Sequence, residues 1–258
     1  MPAVPAHFEF WLEMLRALNE NGHDLAVFFL HYTLTGTGEY PTQLRQAIEA
    51  LRYILNTTNR SPSNVIVGGD SAGGNLATAT LLHLSHPHPE IEPLAVSAPL
   101  AGVFAYAPWV NFSTDWPSFK ENQWRDILTA DVLTTWSDAY RGGKPADQWN
   151  EPFTAPVELW AGAKTEKILI LVGGCEILLS PIEAFAKKIK VCADSRFCGW
   201  FQLTFYLYFS PSSLRLFIML VSMRRMMRHS SCLPRKRRRQ GQSFDSGWLL
   251  VCDFICSV

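Results

Sequence analysis

Across 258 residues, 23 basic and 23 acidic side chains balance, with 48% of residues hydrophobic and 18% charged. That composition excludes disorder, suits one core with or without an appendage, and singles out no partner by charge. The balance hides a division. Residues 1–190 hold 13 Lys or Arg against 20 Asp or Glu, whereas residues 191–258 hold ten against three (Asp194, Asp245, Asp253).

The opening MPAVPAHFEF has neither the basic start nor the apolar run of a secretory signal. Residues 8–18, FEFWLEMLRAL, set Phe8, Trp11, Leu12, Leu15 and Leu18 at helical spacing. NENGHD breaks that helix, and DLAVFFLHYTL is a short continuous apolar run, the pattern of a strand buried on both faces. TQLRQAIEALRYIL returns to helical spacing through Leu44, Ile48, Leu51 and Leu55. The strand VIVGG leads to Ser71 and a helix, GGNLATATLLHL. A strand at 102–110, GVFAYAPWV, precedes an aromatic, loop-rich stretch holding six of the nine tryptophans: Trp109, Trp116, Trp124, Trp136, Trp149 and Trp160. EKILILVGG is a further strand and SPIEAFAKKIK an amphipathic helix. Four strands, beginning near Asp24, Asn64, Val103 and Lys167, alternate with helices. That order predicts an α/β fold with a mostly parallel sheet covered on both faces and a lid-like insertion at about 111–160.

Gly69-Asp70-Ser71-Ala72-Gly73 has the form G-x-S-x-G between a strand and a helix. Such a turn is too tight for side chains at its two glycines, so Gly69 and Gly73 are required. It presents Ser71 Oγ at the carboxyl end of the sheet, with the Ala72 N–H as the expected oxyanion donor. The glycine spacing matches neither a dinucleotide nor a P-loop phosphate cradle. The string GDSAGGNLA resembles the serine turn of alpha/beta-hydrolases of the hormone-sensitive-lipase-like esterase group. YPTQLRQAIEALRYIL, PLAGVFAYAPWVNF and ILILVGGCEILLSPIEAFAKKIK extend the resemblance, toward fungal members, over roughly residues 3–190. It implies a partial alpha/beta-hydrolase fold, a Ser–acid–His triad and a small-molecule carboxylic ester as substrate, with no cofactor and no metal.

In chain order the acid follows a later strand. The resemblance sets Glu176, in Gly174-Cys175-Glu176-Ile177-Leu178, at that position, although Ser180-Pro181 stands where many relatives carry an acidic pair. The family's histidine falls about 25 to 35 residues past the acid. Here that window, Phe201 to Pro211, contains none, and His229 lies in RRMMRHSSC with no strand leading to it. His83, His86 and His88 stand at the far end of the helix after Ser71 and are expected at the surface. The family's second oxyanion donor comes from a His-Gly-Gly-type loop, and this chain has no His-Gly dipeptide. A start truncated just after that loop is therefore expected.

Residues 191–258 are expected to form a divergent, poorly ordered or non-native basic tail. Five of the six cysteines lie there and no pair has C-x-x-C spacing, so free thiols are expected. Its apolar segment 199–222 is the candidate for membrane association. Ser210-Pro211-Ser212-Ser213 and Arg215 interrupt it, and neither half reaches the roughly 20 residues of a span. PRKRRRQ reads as a solvated charge run, and no nucleic acid is expected as a partner. Three functions remain open: an esterase with Ser71 and Glu176, weak or inactive without an evident base; a non-catalytic hydrolase-fold protein; and a protein held to anionic surfaces by its tail. A compartment is not indicated.

Overall fold

The computed structural model describes residues 5–190, 197–203 and 215–222. His229, PRKRRRQ and Cys252/Cys256 lie outside them, as do most of residues 191–258, on which the expectations for the tail rest. Helix α1 (Pro5–Glu20) leads into strand β1 (Asp24–Phe29), and α2 (Thr42–Arg52) precedes β2 (Val65–Asp70) and α3 (Ala72–Ser85). Strand β3 (Gly102–Tyr106) is followed by α4 (Pro117–Glu121), α5 (Ala130–Arg141) and α6 (Val157–Ala161). Strand β4 (Ile168–Gly173), α7 (Leu179–Lys190), β5 (Phe197–Leu203) and β6 (Arg215–Ser222) complete the order.

The sheet runs β1-β6-β2-β3-β4-β5. Strands β2 to β5 are mutually parallel, whereas β6 is antiparallel to both β1 and β2. The four predicted strands are all present. Two further strands come from segments whose continuous apolar runs carried no period to distinguish strand from helix. Strand β6 separates β1 from β2, which sequence order alone would place side by side. Strand β3 stops at Tyr106, short of the predicted residue 110, because Ala107 turns to φ 41° and Pro108 follows. Proline has no N–H to continue the ladder.

Helix α1 packs through Trp11, Met14 and Leu18, all buried, against Leu25. Phe8 and Leu12, expected on that face, are 41% and 46% exposed. The buried stripe is thus i, i+3, i+7 and lies to one side of the predicted one. Helix α2 buries Leu44, Ala47, Ile48 and Leu51. Every residue of α3 from Gly73 to Leu84 is buried, so this helix has no solvent face. Two of its threonines are satisfied within the helix: Thr80 Oγ1 donates to the Leu76 carbonyl and Thr78 Oγ1 to the Asn75 carbonyl. Burial on all sides fixes α3 against the sheet and therefore fixes its N-terminus, where the site lies.

Candidate active site

Ser71 occupies the single residue between β2 and α3 with φ 57° and ψ −115°. That combination is sparsely populated for a residue bearing Cβ and persists only where neighbours over-determine it. Here they do. The Ser71 N–H donates to the Tyr106 carbonyl (2.8 Å), and the Ser71 carbonyl accepts from the N–H groups of Trp109 and Asn75 (both 3.0 Å). The end of β3 thus holds both backbone groups of the serine. The two glycines act as a pair: a Cβ on Gly69 would lie 2.3 Å from the carbonyl carbon and oxygen of Gly73. Ala72 opens α3, where the first amides have no intrahelical acceptor.

Asn75 was not singled out from the sequence, yet it joins the serine turn to the insertion between β3 and β4. Its buried Nδ2 donates to the carbonyls of Trp109 (2.9 Å) and Asn150 (2.8 Å). Asn75→Ala strands two buried carbonyls and is expected to cost about 2–4 kcal/mol in a urea-unfolding measurement. A loss under 1 kcal/mol would show that solvent reaches both carbonyls.

Glu176 follows β4, two strands from Ser71, on the same edge of the parallel part of the sheet. Neighbouring strands lie about 4.8 Å apart, so roughly 10 Å separates the two strand ends. Its Oε1 accepts from the Gly173 N–H at 2.8 Å, and its Oε2 is buried with no hydrogen-bond partner among the described residues. Burial pushes the carboxyl up to about 8. The Gly173 hydrogen bond counters that rise, while the negative charges of Asp126 and Asp70 add to it. Without a cation beside it, the group holds its proton near neutral pH.

Among the described residues no imidazole hydrogen-bonds to Ser71 or Glu176. His83 and His88, expected at the surface, are buried at 0% and 4% exposure. His83 Nδ1 accepts from the His88 N–H, and His88 Nδ1 from the Glu90 N–H. They are core residues, and eleven residues of helix put His83 about 17 Å beyond Ala72. Of the tryptophans in the aromatic stretch, Trp109 and Trp136 line a cavity of about 50 Å³ beside Ala72, together with Tyr32, Asn75, Phe112 and Tyr140. Trp160 is core and Trp124 is 90% exposed. Cys175 carries a free thiol. No helix among the described residues is long and apolar enough to cross a membrane.

A serine at a strained strand-to-helix turn and a buried carboxylate two strands away, on one edge of a helix-flanked parallel sheet, define a hydrolase architecture. The chain belongs to the alpha/beta hydrolase fold family, whose sequence pattern matches residues 13–197. It is similar to steryl acetyl hydrolase 1 of Saccharomyces cerevisiae, 27% identical over 207 residues that cover 74% of this chain and 46% of that protein. Arylacetamide deacetylase of Bos taurus is 30% identical over 124 residues, covering 45% of this chain and 30% of the relative. Among solved structures, an esterase of the bacterial hormone-sensitive lipase family superposes with a TM-score of 0.55 at 25% identity, covering 67% of this chain and 54% of that one. A hormone-sensitive lipase from a metagenome library gives 0.52 at 28% identity, over 62% and 50% of the two chains. The resemblance to hormone-sensitive-lipase-like hydrolases therefore holds. The chain spans about half the length, or less, of these relatives.

Proposed function

We propose that this chain carries the nucleophile half of a carboxylic-ester hydrolase, with Ser71 as nucleophile, the Ala72 N–H as one oxyanion donor and Glu176 as the triad acid. The observation that carries the reading is the pairing of a strained Ser71 after β2 with a buried Glu176 after β4, whose Oε2 has no hydrogen-bond partner among the described residues, with only β3 between the two strands. An ester carbonyl seated over Ala72 would be attacked by Ser71 Oγ, whose proton passes to water for want of a base among the described residues; the resulting alkoxide would face the N-terminus of α3, and its collapse would expel the protonated alcohol and leave Ser71 acylated. The cavity beside Ala72, lined by Tyr32, Trp109, Phe112, Trp136 and Tyr140, offers an apolar surface for an acyl group. The relatives' names include an acetyl hydrolase and a deacetylase, which supports a short acyl group.

A serine hydroxyl without a base is not ionised near neutral pH and attacks slowly. The described residues supply nucleophile, acid and one donor, but no base. Turnover of p-nitrophenyl acetate is therefore expected to lie within about tenfold of the Ser71→Ala variant, since a triad lacking a member keeps only its binding and oxyanion contributions. A kcat/KM above about 10⁴ M⁻¹s⁻¹ that vanishes in Ser71→Ala would overturn the slow-turnover part. Strong activity that survives Ser71→Ala would overturn the assignment of the nucleophile.

A further inference from the structure

The stretch from α4 to the start of α5 is stitched to the loop bearing Glu176. Ser118, fully buried, and Ser180 exchange hydrogen bonds: the Ser118 N–H donates to Ser180 Oγ (3.1 Å), and the Ser180 N–H to Ser118 Oγ (3.0 Å). Ser118 Oγ also donates to the Ile177 carbonyl. Asn122, buried, donates from Nδ2 to the Glu176 carbonyl at 2.8 Å. Asp126 Oδ2 accepts from the Ile177 N–H at 2.7 Å, while its Oδ1 accepts from the Leu128 N–H and so shapes its own loop. Five hydrogen bonds thus cross between residues 118–126 and residues 176–180. Ser180, which departs from the acidic pair expected there, is a partner in two of them.

We infer that the segment 118–126 is a fixed clamp that positions Glu176, with Ser118, Asn122 and Asp126 as its positioning residues and Asp126 also setting the charge that Glu176 faces. This rests on the reading of Glu176 as the triad acid. A mobile cover would show few bonds to the body of the fold. This segment instead holds the backbone that leads away from the carboxylate: the Glu176 carbonyl, the Ile177 N–H and carbonyl, and the Ser180 N–H. Among the described residues, the charged and titratable groups facing Glu176 come from three elements: Asp126 after α4, Asp70 at the end of β2 and Tyr106 at the end of β3. Two are acidic. Burial disfavours the ionised carboxyl and these two charges add to that effect, while the clamp sets its position before any substrate arrives.

Two substitutions separate the hydrogen bond from the charge. Asp126→Asn keeps an oxygen for the Ile177 N–H and removes the charge; Asp126→Ala removes both. The carboxyl ¹³C resonance of Glu176, assigned by its loss in Glu176→Gln, is followed against pH in the full chain, with amide exchange at Ile177 measured alongside. In Asp126→Asn the Glu176 midpoint is expected to fall by at least about half a pH unit, because a like charge has gone. Ile177 exchange should then stay within about threefold of the parent. In Asp126→Ala it should accelerate at least about tenfold, the equivalent of about 1.4 kcal/mol. If Asp126→Ala does not fold, Asn122→Ala supplies the exchange reading, with acceleration at Ile177 again expected. An unmoved midpoint in Asp126→Asn, or unchanged Ile177 exchange in the alanine variants, overturns the clamp. Neither readout needs turnover. A chain whose strong ester hydrolysis survives Ser71→Ala but which shows both shifts keeps the clamp and loses the catalytic reading. Acylation of Ser71 with a midpoint common to all variants does the reverse.

Discussion

Glu176→Gln is expected to unfold about 6–12 °C above the parent at pH 8 and together with it near pH 4. The folded carboxyl titrates at about 8 against 4.5 for an exposed one, raised first by burial. Between those values the folded chain holds a proton that the unfolded chain releases. Stability of the parent therefore falls as pH rises, by at most about 1.4 kcal/mol per unit, and levels off above pH 8. Allowing for partial exposure, the accumulated loss is roughly 3–4 kcal/mol, which converts to the stated shift for a domain of this size. Glutamine is close in shape to the protonated acid, keeps an oxygen for the Gly173 N–H and cannot ionise, so it escapes the loss. Thermal unfolding of both proteins from pH 4 to 9 checks this. Curves that stay parallel would show that Glu176 titrates as an exposed carboxylate. A Gln variant less stable at pH 8 would put a cation against Oε2, the sign of a completed triad.

That behaviour was not legible in the sequence, although the position of Glu176 was. A carboxylate after an apolar strand is visible as a string; whether its second oxygen finds a partner depends on side chains brought from 50 to 100 residues away. The same limit explains Ser118, Asn122 and Asp126. Side-chain-to-backbone bonds across an insertion leave no period, and these residues read as loop composition. What did read well was local. The turn at Ser71 follows from glycine spacing between an apolar strand and a helix, and the strands at Asp24, Val65, Gly102 and Ile168 follow from short apolar runs between breakers. Strand β6 shows the converse. LRLFIMLVSM does not read as a strand of this sheet, because its place between β1 and β2 is decided by antiparallel pairing with residues about 145 to 200 positions earlier. His83 and His88 were misplaced for a related reason. Imidazoles near a helix end look solvent-exposed until the loop that covers them supplies the backbone groups that satisfy them.

Gly69→Ala is expected to cost about 3–5 kcal/mol, or to prevent accumulation of folded chain, whereas Gly22→Ala should cost about 1 kcal/mol. Both positions lack a side chain, but they fail for different reasons. Gly22 has φ 88° with nothing within 4 Å of an added Cβ, so only backbone strain opposes alanine. At Gly69 the added carbon would meet the carbonyl carbon and oxygen of Gly73 at 2.3 Å and its Cα at 2.9 Å. Gly73 is backbone in the first turn of α3, and α3 cannot withdraw. Its Asn75 N–H holds the Ser71 carbonyl, its Asn75 side chain holds Trp109 and Asn150, and its remaining faces are buried. Gly68 offers the contrast within the same strand. Its added Cβ would overlap the Phe104 ring, a side chain that can turn away at a smaller cost. Relieving Gly69 instead requires β2 and α3 to separate, which releases the strained Ser71 backbone that their contact enforces. Loss of stability and loss of any Ser71-dependent acylation should therefore occur together in Gly69→Ala, measured by urea unfolding and by mass spectrometry after p-nitrophenyl acetate. Alanine at Gly69 with parental stability would show that the close approach of β2 and α3 does not hold the serine turn.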